Sequence, residues 1–140
     1  MRRLAAIVLP LALVLAIAIW RSHGPAPVNE AAFRELQALV AEGTPHPVGS
    51  PENAVVRERI VARFRALGYD VTTQRRFVCN ARITCATVEN ILARLPGQSA
   101  ETVVLAAHYD SVKAGAGASD DAMGVAALLD VAAEVRGERF

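Results

Sequence analysis

Four residues near the C-terminal end of this chain have the types and order that chemistry needs: His108, Asp110, Asp120 and Asp121. An imidazole and a carboxylate brought together from two loops are donors that suit zinc, with bonds of about 2.0–2.2 Å. Asp110, two positions beyond His108, could orient the imidazole or polarise a bound water. A plainer alternative stands beside this one on residue types alone. In it His108 is a hydrogen-bonded histidine at a strand end and the acids cap a helix, because two ligands do not define a site.

The elements around these residues suit either reading. Val103 to Ala107 is an unbroken apolar run bounded by polar residues, which predicts a strand buried on both faces. His108 then falls just outside the carboxyl end of that strand, where open α/β sheets carry their chemistry. Gly115 and Gly117, with small residues between them, let the chain turn back. An apolar helix is expected from Asp121 to about Arg136, with Asp130 and Glu134 on its wet face and Gly137 as its stop. Strand, ligand-type residues, loop and helix make half of a βαβ unit, so the fold class is α/β.

The segments AAHYDS and GASDDAMGVAALLDVAAEV resemble the signature of the zinc aminopeptidase family, metallopeptidase family 28. That resemblance implies a three-layer αβα domain in which two adjacent zinc ions hydrolyse peptide bonds. It implies that His108 binds one zinc, that Asp120 bridges both ions, and that Asp110 is the supporting acid. Ser119 stands where the family often has Asp, so Asp120 is the matching ligand. The resemblance further implies a cis Asp120–Asp121 peptide.

Upstream, the chain opens with Met1, Arg2 and Arg3, followed by Leu4 to Trp20 without a charge and closed by Arg21. That run is short for a membrane span and long for a signal-peptide core. Ile19 and Trp20 follow the A-x-A pattern of Ala16 and Ala18, and Trp20 suits a membrane interface. An uncleaved signal anchor over residues 1–21 is favoured over a cleaved signal peptide. It leaves the remainder on the non-cytoplasmic side, whether periplasmic, extracellular or lumenal. Residues 22–28, SHGPAPV, read as a linker, and residues 29–140 as one domain. A net charge of +1 gives no electrostatic case for nucleic acid.

Asn29 is a credible N-cap for a helix whose Phe33, Leu36, Leu39 and Val40 share a face, ended by Gly43. Ser50 and Pro51 open a second helix, marked by Val56, Ile60, Phe64 and Leu67 and ended by Gly68. His46, between two prolines in the loop before it, is a weaker ligand candidate whose presence the loop alone explains. PHPVGSPEN, this helix and LGYDV also resemble the start of the peptidase domain in the same family, especially in membrane-tethered vacuolar and endoplasmic-reticulum-type members.

Two strands are then expected. Tyr69 to Val78 would place Tyr69, Val71 and Phe77 on one side, and Ala86 to Leu95 would be its partner. Arg75 and Arg76 fit a solvated edge. Cys79 and Cys85 flank the connection, and outside the cytoplasm a disulfide is favoured over free thiols. Their spacing is not that of a structural zinc site.

Two-metal hydrolysis needs ions about 3.5–4 Å apart and a base for the attacking water. In the family the base is a glutamate followed directly by a ligand glutamate, with a further aspartate and histidine later. This sequence has no Glu-Glu pair and no histidine after His108. The expectation is therefore the N-terminal part of a membrane-anchored, two-zinc aminopeptidase acting on peptides, its αβα sheet incomplete and inactive alone. The alternatives are a non-catalytic interaction module with the same scaffold, or an acyltransferase like the glutaminyl cyclases.

Overall fold

The computed structural model describes residues 29–81 and 84–137. The expected signal anchor and linker lie outside them. Among the described residues no helix is long and apolar enough to cross a membrane.

Helix α1 runs Glu30–Leu39, and its start is fixed by Asn29, whose side-chain oxygen accepts from the backbone N–H of Ala31 and Ala32. Those are two of the donors that a helix leaves unpaired at its first turn. Helix α2 runs Pro51–Ala66, capped by the Ser50 hydroxyl on the Asn53 N–H at 3.0 Å. Proline at the first helical position removes an N–H that would have no partner there. Gly68 ends the helix in the left-handed region (φ +86°) and turns the chain into the sheet.

Strands β1 (Asp70–Cys79) and β2 (Cys85–Arg94) pair antiparallel, from Asp70 opposite Arg94 to Cys79 opposite Cys85. Cys79 and Cys85 are joined as a disulfide at the tip. The register puts Val71, Ile91 and Ala93 on one face, packed against the helices. Helix α3 (Met123–Val135) closes the core with Ala126 and Leu129 against Leu39, Ile60 and Phe64. The Tyr69 ring meets Phe64 edge-on at 5.4 Å, and its hydroxyl donates to the Ala132 carbonyl at 3.1 Å. The core thus sits where three helices meet one face of a hairpin.

Several expectations need correction. Val103 to Ala107 is not a strand: the sheet of the described residues has two strands, and they pair only with each other. A buried parallel strand needs neighbours for its backbone groups. Without them Val103 and Val104 stand 89% and 79% exposed. The described residues are therefore a mixed α/β assembly with a small antiparallel sheet. Helix α3 begins at Met123 and not Asp121, because Asp120 and Asp121 have non-helical backbone angles in a kinked turn, Ala118–Ala122. Phe33 of α1 is exposed, and so is Phe77, since the hairpin tip extends past the helices that cover Val71. On the wet face of α3, the Asp130 carboxylate accepts from the Asn29 side chain at 2.6 Å.

Candidate metal centre

The segment after β2 brings His108 beside the kinked turn. Its backbone N–H points at Asp121 Oδ2, 3.4 Å away. The imidazole Nδ1 faces the Asp110 carbonyl at 3.2 Å and the Asp110 carboxylate at 3.5 Å. A carbonyl can only accept, so Nδ1 carries a proton. Nε2 then faces outward to Asp120 Oδ1 at 3.1 Å, across a sequence separation of 12.

Asp120 reaches this position by a local device. Gly117 is left-handed (φ +67°), and its carbonyl accepts from the N–H of Asp120 and of Ala122 at 3.2 and 3.0 Å. The Asp120–Asp121 peptide is cis. The two carboxylates part company: Asp120 turns to the imidazole, while Asp121 Oδ1 accepts from the Gly124 N–H at 3.2 Å.

Burial works against a charged His108, but the Asp120 hydrogen bond, the Asp110 carbonyl and the two nearby carboxylates outweigh it together. Its pKa is raised above the ordinary histidine value. Two donors each about 2.0–2.2 Å from one tetrahedral ion stand roughly 3.3–3.6 Å apart, so a small parting of the pair would admit a shared ion. The second ring nitrogen, held by a carbonyl, is the arrangement that fixes a metal-binding histidine. The corner is open to solvent, with 52% of the His108 and 83% of the Asp120 side chain exposed. Among the described residues no group of three or more potential ligands gathers in one place.

His46 does not join this corner. It is buried, donating from Nδ1 to the Thr44 carbonyl, and it is a structural residue of the loop before α2. Tyr109 points the other way from its neighbour His108, donating its hydroxyl to the Glu89 carbonyl on β2 at 2.6 Å. The Glu89 carboxylate is itself held by Arg57 of α2 and, at 3.4 Å, by Arg75 across the ladder. Reading the sequence alone missed Gly124, and with it the bond that turns Asp121 away from the imidazole. The one available sign was a glycine three residues after an acid at the start of an apolar helix.

Residues 90–139 match the model of Peptidase family M28, and the chain belongs to that family. Over 115 residues it is 36% identical to a vacuolar membrane protease of Schizosaccharomyces pombe, an alignment covering 72% of this chain and 13% of that protein. The chain therefore spans a small part of the length of the curated relatives it matches. Among solved structures it is similar to a glutaminyl cyclase of Porphyromonas gingivalis (TM-score 0.72, 25% identity, 79% of this chain and 40% of that one). It shares its fold with a leucine aminopeptidase precursor of Bacteroides thetaiotaomicron (TM-score 0.63, 22% identity, 81% of this chain and 43% of that one).

Proposed function

We propose that this chain provides the metal-holding corner of a zinc-dependent exopeptidase of the aminopeptidase type. The observation that carries the reading is the approach of His108 Nε2 to Asp120 Oδ1 at 3.1 Å. His108 would hold one zinc ion and Asp120 would bridge to a second. Zinc supplies a Lewis acid and an activated water for peptide-bond hydrolysis. Asp110 orients the imidazole through its carbonyl and keeps negative charge beside it. The Glu-Glu pair that gives the family its base is not among these 140 residues, so the chain alone has no turnover.

Residues 1–21 tether the protein to a membrane, residues 22–28 are a linker, and residues 29–140 lie on the non-cytoplasmic side as part of an αβα peptidase-like domain. The name of the fission-yeast relative supports membrane association, and the Cys79–Cys85 pair suits an oxidising compartment. The substrate is a peptide. A second reading, acyl transfer at peptide N-termini, is favoured by the likeness to the glutaminyl cyclase.

The test is zinc content and hydrolysis of N-terminally free peptides by the full gene product. Asp120→Ala should abolish turnover and release both ions, and a variant retaining stoichiometric zinc would overturn the bridging role. Asp110→Ala should lower rate more than metal content. Cyclisation of N-terminal glutamine without peptide cleavage would favour the second reading.

A further inference from the structure

The buried polar side chains of the described residues are His46, Asn53 and Ser111, and they form a single cluster. The Ser111 hydroxyl accepts from the His46 backbone N–H at 2.7 Å and donates to the Val112 carbonyl at 3.0 Å. The Ser111 N–H returns to the His46 carbonyl at 3.2 Å, and the Asn53 side chain donates to that same carbonyl at 3.2 Å. Asn53 is in turn fixed at the first turn of α2 by the Ser50 cap. The loop before α2 and the segment after His108 are therefore bracketed together, with the Ser111–His46 and Asn53–His46 bonds buried.

Ser111 is the one member of this bracket that reaches both halves of the metal corner. On one side it directly follows Asp110, whose carbonyl sets the His108 ring. On the other it abuts Gly117: a Cβ built on that glycine would stand 2.9 Å from Ser111 Cβ. Gly117 is the residue whose carbonyl holds the Asp120 and Ala122 amides. A buried residue, bonded to His46 once through its hydroxyl and once through its backbone N–H, thus sets the separation of two exposed side chains that have little packing of their own.

We propose that Ser111 is a positioning residue for the His108–Asp120 pair, anchored by the 44–53 loop. Its purpose rests on the metal-binding reading above, whereas its geometry stands without it. Ser111→Ala removes the acceptor of a buried N–H, a loss that opens local structure.

The experiment uses the full 140-residue chain, isotope-labelled and metal-free in detergent micelles, with Ser111→Ala, Asn53→Ala and a core control, Val61→Ala. Amide exchange at Asp120 and Ala122 should quicken in Ser111→Ala roughly tenfold more than in Val61→Ala. The His108 imidazole nitrogen shifts should move away from those of the parent chain. Asn53→Ala should move both readouts in the same direction by less, and it serves as the test if Ser111→Ala fails to fold. Exchange and shifts matching the core control would overturn the proposal. Cobalt(II) titration separates the two readings. Cobalt uptake by the parent chain with an undisturbed corner in the variants sinks the positioning role alone. No uptake by the full gene product, with a loosened corner in the variants, sinks the metal reading and leaves the positioning role standing.

Discussion

A Cβ placed on Gly124 would stand 2.2 Å from Asp121 Oδ1. The first turn of α3 therefore has room for the Asp121 carboxylate only because residue 124 has no side chain. Gly124→Ala pits two effects against each other. Alanine favours a helix over glycine by about 1 kcal/mol. Displacing the carboxylate loses its bond from the Gly124 N–H and its longer contact with the His108 N–H, bonds to a charged group worth about 1.5–3 kcal/mol each at best. The loss wins, and urea unfolding should show a net destabilisation of about 1 kcal/mol, with faster exchange of the His108 amide.

Asn29 ties two helices with one side chain, its oxygen capping α1 and its nitrogen donating to Asp130 on α3. Asn29→Ala should cost about 1–2 kcal/mol, chiefly the lost cap. Asp130→Ala removes only a solvent-exposed bond and should cost about 1 kcal/mol or less. Asn29→Asp keeps the cap but sets two carboxylates together, so its stability should recover as salt screens them. Chemical denaturation at low and high ionic strength distinguishes the three.

Glu89 is flanked by Arg57 and Arg75, and only 16% of its side chain is exposed. Glu89→Ala leaves the largely covered Arg57 guanidinium without its carboxylate on the sheet. A cost of about 1–3 kcal/mol is expected, between the values for exposed and fully buried pairs. Tyr109 bonds the Glu89 backbone carbonyl, so its hydroxyl contact survives the substitution. Near-ultraviolet circular dichroism should keep the tyrosine signal while the urea midpoint falls.

Burial raises the pKa of Tyr69, whose hydroxyl donates to Ala132. A phenol raised in the folded state stabilises the fold below its unfolded value, about 10. That contribution is lost as pH rises through the folded value. Tyr69→Phe should therefore cost about 1 kcal/mol near neutrality, yet lose stability less steeply on the alkaline side. Tyr109, raised first of all by burial, leaves a residual slope in the variant. Urea midpoints measured across the alkaline range test the difference in slope.

The parts of this fold that announce themselves in the sequence are those whose causes are local. Asn29, Ser50-Pro51 and Gly68 mark helix boundaries because each satisfies or terminates backbone groups within a few residues. The hairpin follows from alternation and from its two cysteines. Val103 to Ala107 misleads because an apolar run reports a wish for burial, whereas a strand requires a partner that the pattern itself does not contain. Phe77 misleads likewise: it shares a side of the ladder with Val71, but the helices stop short of it. At the site, His108, Asp110 and Asp120 stand out by residue type. The separate duty of Asp121 depends on the kinked backbone at Asp120 and Asp121, which no periodicity encodes. Ser111 and Asn53 look like ordinary loop and helix residues until the chain closes around His46.

The uncovered stretch at Val103, Val104 and Leu105 has a practical consequence for anyone handling this protein. Aliphatic, uncharged and free of proline, it has the composition that recruits a neighbouring backbone into a ladder. Concentrated solutions should accordingly grow sedimenting assemblies with a cross-strand infrared signature. A single lysine at residue 104 should disperse them while leaving the three-helix core intact.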